Sequence, residues 1–375
     1  MMKASPTGIY VHVPFCIKKC AYCDFCSFPI SSFDSCVRER YIDALINEIS
    51  SYREHKISVD TVFIGGGTPS LLTPDELLKI KTSIDESFCV MPNAEFTVEV
   101  NPATDLKSKI LDFKSLGVNR ISIGLQSIHE NELKILGRIH SYSDFFETYD
   151  AARRAGVDNI NVDLMYAIPE QTVSSFDATL SSVLSLSPEH ISLYSLILEE
   201  NTPLWKRRQT LALPDEDKEC EMYYSAADKL RGAGYSHYEI SNYALQGREC
   251  KHNLKYWHTE DYIGVGLAAH SFFRGVRYAN TSVLENYIKS GTSDRIEELI
   301  SGEDRRFEYA MLHLRLARGF SLSEYKKLFG VDFILPRRDL VEKFVEGGYL
   351  IYDGERIFLS EKGFYLSNYI LSALL

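Results

Sequence analysis

The stretch GIYVHVPFCIKKCAYCDF (8–25) decides how the rest of the chain is read. Its apolar, β-branched run IYVHV (9–13) reads as a strand, and Cys16, Cys20 and Cys23 follow it as C-x3-C-x2-C. Three thiolates this close, on a loop leaving a strand, can hold three irons of a [4Fe–4S] cluster. The fourth iron stays open, so the cluster can bind a small molecule as well as carry electrons. A structural zinc knuckle is the alternative reading. A closed zinc site takes four ligands, usually as two C-x2-C pairs; Cys26 and His12 could complete one, but no second knuckle follows. A disulfide framework is disfavoured, because eight cysteines are spread over 375 residues without a preceding secretory signal.

The length suits two or three domains, and a hydrophobic share of 45% is ample for a sizeable core. A net charge of −11 disfavours a nucleic-acid partner. The N-terminal MMKASPTGIY enters the first strand without an apolar signal core. No apolar run approaches the roughly 20 residues that span a bilayer. These features predict a soluble, cytoplasmic protein in which Cys36, Cys89, Cys220 and Cys250 are free thiols.

Further β-branched runs follow the first: TVFIG (61–65), FTVEV (96–100), RISIGL (120–125), INVDLMY (160–166) and HISLYSLIL (190–198). Between them lie helical patterns at 38–54, 74–88, 104–116, 142–156 and 173–186. Strand and helix in alternation predict βα units around a parallel sheet. Six units fit an α/β fold built as a partial, TIM-like (β/α)6 barrel, with ligands at the C-terminal ends of the strands. The texture changes near residue 240, which divides the chain into a barrel domain (1–240) and a C-terminal domain (241–375). The second domain shows helical patterns at 284–290 and 305–318. It also has a hairpin YLIY-DG-ERIFL (349–359) and a closing helix near 361–374. It reads as smaller, mainly helical and winged-helix-like. With 11 basic and 11 acidic residues over 301–375 it has no basic face for DNA, and a packing role is expected.

Several strand ends carry polar or permissive residues. IGGGTPSLL (64–72) supplies Gly65, Gly66 and Gly67, which let the backbone approach a ligand closely or simply make a tight turn. EVNP (99–102) puts Glu99 at a strand end, where it could accept from ribose hydroxyls or an ammonium group, or be an ordinary exposed acid. GLQS (124–127) gives Gln126, and LGRIH (136–140) gives Arg138, a candidate fork for a carboxylate. Asp163 sits in the otherwise apolar strand of NVDLMYAIPEQT (161–172), which is costly unless it faces a polar pocket. HNLKYW (252–257) offers a histidine in an aromatic setting, either a ligand or a residue satisfied within the fold.

These stretches, with YEISNYA (238–244) and DYIGVGLAAHS (261–271), resemble the radical S-adenosylmethionine enzymes of the oxygen-independent coproporphyrinogen III oxidase type, and within them the heme-chaperone branch. The resemblance implies that Cys16, Cys20 and Cys23 ligate the cluster and that S-adenosylmethionine chelates the open iron. Tyr10, Gly66 and Glu99 would contact that molecule, and Ile197 would pack on its adenine. Tyr22, Gly67, Thr68, Gln126, Arg138 and Asp163 match the positions that hold a second S-adenosylmethionine in the oxidase. HNLKYW fits the HNxxYW signature that the chaperone branch is thought to use for heme, with His252 as axial ligand and Tyr256 and Trp257 stacking on the porphyrin.

Two departures separate the chain from the oxidase pattern. The oxidase continues its third ligand as C-x-C, whereas here Cys23 is followed by Asp24, Phe25 and Cys26, and Cys26 replaces the asparagine usual in the chaperone branch. Only nine residues precede Tyr10, so the N-terminal cover expected over an oxidase site is missing. The first reading is therefore a heme chaperone that carries a cluster without decarboxylase activity. It would pass heme to acceptor hemoproteins, membrane-associated respiratory enzymes among them; a homodimer is compatible with the sequence. The second is oxygen-independent coproporphyrinogen III oxidation of propionates to vinyls. The third is a radical methyltransferase or a heme-degrading relative.

Overall fold

The structure is a computed structural model that describes residues 5–102, 104 and 106–375. Six strands alternate with helices from the N-terminus: β1 (Thr7–Val13), α1 (Val37–Ser50), β2 (Ser58–Gly66), α2 (Pro74–Ser87), β3 (Cys89–Val100), α3 (Ile110–Ser115), β4 (Arg120–Gln126), α4 (Glu130–Ile135), α5 (Tyr142–Arg154), β5 (Ile160–Tyr166), α6 (Val173–Ser185) and β6 (His190–Ser195). Each strand pairs in parallel with the next in chain order. Parallel strands covered on both faces read as continuous apolar runs, and every residue of β4 is indeed buried. Helices α2, α5 and α6 all begin with capping boxes, on Thr73, Ser141 and Thr172. Each box pairs orphan amides reciprocally and fixes where its helix starts. The helix expected over 104–116 is realised as α3; residues 103 and 105 lie outside the described set.

The sheet grows at both ends. Helix α7 (Glu216–Gly232) packs on α6, and β7 (Ser236–Glu239) and β8 (Asn242–Ala244) add antiparallel beside β6. At the other edge β9 (Tyr262–Val265) runs parallel to β1. It is followed outward by antiparallel β10 (His270–Phe273), β11 (Val276–Ala279) and β12 (Ile296–Leu299). The result is one twelve-stranded sheet, curled as a partial TIM-like barrel with two free edges. Strands on both sides of residue 240 belong to it; the change of texture there marks the end of the βα repeat.

Between the two edges the chain forms the short helix α8 (Lys251–Trp257). The C-terminal part contains α9 (Leu284–Ser290), α10 (Gly302–His313), β13 (Phe320–Ser321), α11 (Leu322–Phe329), α12 (Arg338–Glu346), β14 (Leu350–Tyr352), β15 (Arg356–Leu359), α13 (Glu361–Tyr365) and α14 (Ser367–Leu374). Strands β14 and β15 form the expected hairpin, with Gly354 at φ +98° in the turn, and β13 completes a small wing. None of the eight cysteines is paired in a disulfide. Among the described residues no helix is long and apolar enough to cross a membrane.

Glu48 on α1 ties the N-terminal half to the late strands. Its carboxylate is fully buried and accepts from Gly266 N (2.8 Å), Asn280 Nδ2 (2.8 Å), Tyr287 OH (2.6 Å) and the guanidinium of Arg295 (2.8 Å). A buried ion held by this many donors is costly to break from one side, because its partners are left desolvated and unpaired. Glu48→Ala is expected to lower stability by about 3 kcal/mol. A urea midpoint equal to that of the parent would show that the cluster does not join the two halves.

Candidate functional site

The cysteine loop is placed by backbone contacts at the C-terminal end of the barrel. Val13 O accepts from Gly67 N (2.7 Å) and Phe15 O from Thr68 N (2.8 Å), so the glycine segment lies directly against the chain leaving β1. At Gly67 a Cβ would lie 2.8 Å from both carbonyl oxygens. At Gly66, with φ +110°, it would lie 2.5 Å from the His12 ring. No side chain fits at either position, which explains the glycine run. Further on, Ala21 N donates to Leu136 O (2.8 Å) and Ala21 O accepts from Leu204 N (2.8 Å), pinning the middle of the loop.

His12 braces the loop from within. Its Nε2 bonds Cys26 O (2.8 Å) and its Nδ1 bonds Tyr10 OH (2.9 Å). A carbonyl only accepts, so the proton is on Nε2 and Nδ1 accepts from the tyrosine. Burial lowers the His12 pKa and keeps the ring neutral. With both nitrogens engaged, His12 has no lone pair to give a metal, which removes one of the two residues that could have closed a zinc site. Cys26 contacts Ser282 O through its thiol (3.8 Å).

Cys16, Cys20 and Cys23 border one cavity of about 140 Å³. Among the described residues no three His, Cys, Asp or Glu side chains converge on a single ion. A [4Fe–4S] cluster takes one thiolate per iron and spreads its ligands accordingly. Arg138 donates to Cys20 Sγ (3.5 Å) and to Gly124 O (2.5 Å), setting a cation where a thiolate is needed. The donor set, the small cavity and this cation fit a cluster.

The same cavity is lined by Gly66, Gly67, Thr68, Glu99, Gln126, Arg138, Asp163 and Tyr22. Gly66, Glu99, Gln126, Asp163 and Tyr22 also line a larger lumen of about 500 Å³, which Tyr10, His252 and Tyr256 reach from the other end. Burial, with the nearby Asp163 adding to it, pushes the Glu99 carboxyl up to about 7, against the Gly66 N–H that donates to it (3.1 Å). Asp163 is likewise raised by burial; it accepts from Asn161 Nδ2 (2.7 Å) and Ser122 Oγ (3.4 Å). Gln126 has φ +71° at the bulged end of β4, a strained conformation that turns the chain at the rim. Ile197 stands 63% exposed on the loop after β6 and lines neither cavity.

Sequence reasoning missed Arg120, whose long side chain is fully buried and lines the lumen with Asn161 and Ser122. Its one signal is a cation opening an otherwise apolar strand. Glu95 was missed as well. From β3 it accepts from Lys251 N and His252 N (both 3.1 Å), so it fixes the start of α8.

Helix α8 closes the N-terminal end of the barrel. Lys255, a buried residue of this helix, donates to Pro6 O (2.8 Å) and pairs with Asp60 (2.9 Å) and Glu260 (3.1 Å). His252 is 1% exposed and stacks on Phe63 at 5.3 Å. Its Nδ1 meets Thr61 Oγ1 (2.9 Å) and its Nε2 meets Tyr256 OH (2.8 Å). Burial pushes its pKa down to about 3, so the ring is neutral, with one nitrogen donating and the other accepting. His252 and Tyr256 thus share the lumen with the far side of the cysteine loop. Trp257 lines neither the lumen nor the cysteine-loop cavity and lies under the guanidinium of Arg315 at 5.9 Å.

Comparison with known proteins agrees with this arrangement. The radical SAM superfamily profile matches residues 10–183, and the HemN C-terminal domain profile matches residues 300–366. Proteins named heme chaperone HemW are similar along the whole chain. That of Lactococcus lactis is 36% identical over 100% of this chain and 98% of its own length. The Bacillus subtilis protein is 35% identical, covering 98% of each, and the Escherichia coli protein 33% identical, covering 100% of each. The solved E. coli coproporphyrinogen III oxidase (HemN) superposes with a TM-score of 0.85 over 99% of this chain and 90% of its own, at 20% identity, a likeness of fold. A radical SAM barrel, a HemN-type C-terminal domain and full-length identity above 30% leave one assignment: the chain belongs to the HemW heme-chaperone family of the radical SAM superfamily.

Proposed function

We propose that this protein binds heme and passes it to acceptor hemoproteins, and that it carries a [4Fe–4S] cluster on Cys16, Cys20 and Cys23 with S-adenosylmethionine at the open iron. The observation that carries the reading is the full-length similarity to proteins named heme chaperones, with neither end of the chain left unmatched. Bound, the cluster supplies an electron to the sulfonium of S-adenosylmethionine. The chain's own part is to hold and enclose these groups. Arg138 donates a hydrogen bond to Cys20 Sγ. Gly66 and Gly67 admit a ligand against bare backbone, and Glu99 accepts from ribose hydroxyls or an ammonium group. Asp163, Gln126 and Tyr22 extend the polar wall over which a second molecule would lie, and exposed Ile197 offers a face for an adenine.

The HNLKYW helix is the heme-handling element in this reading. His252 would be the residue that holds the heme iron, at the expense of its Nε2 hydrogen bond to Tyr256 OH. Trp257, turned toward Arg315, belongs to the support of the helix. The compartment is the cytoplasm, and the acceptors include membrane-associated respiratory enzymes. The division at residue 240 is better drawn near 300, since the sheet runs to Leu299.

Three outcomes are expected. Cys20→Ala removes the cluster absorbance and most bound iron while leaving the far-UV spectrum intact; unchanged iron content would end the cluster assignment. S-adenosylmethionine binding strengthens as pH rises through about 7, because the Glu99 anion is the accepting form, and Glu99→Gln flattens the profile. A pH-independent Kd in the parent would exclude Glu99 as a contact. His252→Ala weakens hemin binding by about tenfold and slows transfer to an apo-hemoprotein. Anaerobic formation of protoporphyrinogen and CO2 from coproporphyrinogen III by the cluster-loaded protein would replace the chaperone reading with the oxidase.

A further inference from the structure

Arg120 opens β4 and is 2% exposed, yet its guanidinium makes no hydrogen bond and no ion pair among the described residues. Its Nε is a buried donor without a partner, and its side chain lines the lumen of about 500 Å³. Burial works against its charge, while Cys250, Glu95, Tyr238 and Asp163 nearby favour it. Neither carboxylate is free to answer it. Glu95 accepts from the amides of Lys251 and His252 and from the Cys250 thiol (3.6 Å), and Asp163 accepts from Asn161 and Ser122. A buried cation in this state costs the fold stability, and a bound anion would complete it.

A second donor faces the same space. Asn253, next to His252 on α8, lines the lumen, and its side-chain amide has no hydrogen-bond partner among the described residues. Around these two groups the walls are aromatic: Tyr10, Phe63, Tyr194 and Tyr256. A guanidinium offers five N–H donors in a planar fork that matches the two oxygens of a carboxylate, and the amide NH2 adds further donors. Aromatic faces suit a flat, unsaturated body behind that carboxylate. Glu99 and Asp163 line the lumen too, so a singly charged acid is better tolerated there than a doubly charged phosphate.

We propose that the lumen contains a carboxylate-binding site, with Arg120 as the fork and Asn253 as the second donor, that takes a flat, unsaturated acid. One source of that carboxylate is a propionate of the heme whose iron His252 would hold from the same lumen; for this source the proposal rests on the heme-binding reading above. A free aromatic acid is the other source and has the same chemistry. In both, the acid group goes to Arg120 and the flat body lies among the aromatic rings. Arg120 thereby selects ligands by an ionised carboxylate, independently of any metal they carry.

The test is an anaerobic titration of full-length, cluster-loaded protein with three probes: hemin, hemin dimethyl ester, whose propionates carry no charge, and benzoate. Absorbance reads the first two and the thermal midpoint reads the third. Hemin is expected to bind about tenfold tighter than its ester. Arg120→Met weakens hemin by about tenfold and Asn253→Ala by about threefold, while the ester affinity and the cluster absorbance stay unchanged. Should Arg120→Met fail to fold, Asn253→Ala and the comparison of hemin with its ester decide. Benzoate bound by the parent and lost in Arg120→Met, with hemin and ester bound alike, upholds the site and assigns its acid to a free ligand. Hemin and ester bound alike with no benzoate shift overturns the proposal and leaves the heme-binding reading standing, as does binding that neither variant changes. Benzoate binding without hemin binding overturns the heme-binding reading alone, and binding of none of the three overturns both.

Discussion

Two backbone hydrogen bonds, from Gly67 to Val13 and from Thr68 to Phe15, hold the end of β2 against the chain leaving β1. Everything at the C-terminal rim follows from that contact. It demands bare backbone at the glycine run, and it sets the direction in which the cysteine loop departs. It also brings Glu99, one strand further along, to the floor of the same cavity. His12 then locks the far end of the loop through a single carbonyl. The cysteine loop is thus held by the sheet at its start and by His12 at its end.

The two ends of the barrel are built on opposite principles. At the rim, polar groups such as Arg138 and Glu99 face a cavity and remain available to ligands. At the closed end, polar groups are consumed by the fold: Glu95 by the amides of α8, Lys255 by Asp60 and Glu260, His252 by Thr61 and Tyr256. Function at the closed end therefore needs an exchange of partners, whereas function at the rim needs only occupancy.

Much of this was readable from the chain. Parallel strands leave continuous apolar runs, and INVDLMY coincides with β5 residue for residue. The cysteine spacing and the Asp353-Gly354 turn declared themselves locally. Helix α7 was overlooked although Asp215 caps it and Met222, Ala226 and Leu230 mark a helical face; its acidic first turns masked the pattern. The pairing of β9 with β1 could not be read, because nothing within residues 262–265 names a partner at residues 8–11. The lumen role of Arg120 was hidden for a similar reason. An arginine opening a strand looks like a surface residue until the barrel closes around it. His252 was recognised as chemically capable, but its two hydrogen bonds come from β2 and from its own helix, and only the fold shows that both nitrogens are taken.

The pairing of β9 with β1 also has a consequence for biosynthesis. A nascent chain that has emerged as far as β6 carries all six βα units, yet the outer edge of β1 is still an unpaired row of amides and carbonyls beside an apolar strand. That edge is covered only when residues 262–265 have been made and folded back. Until then it is open to strand addition from another chain. Strand β1 is thus made well before the residues that protect its outer edge.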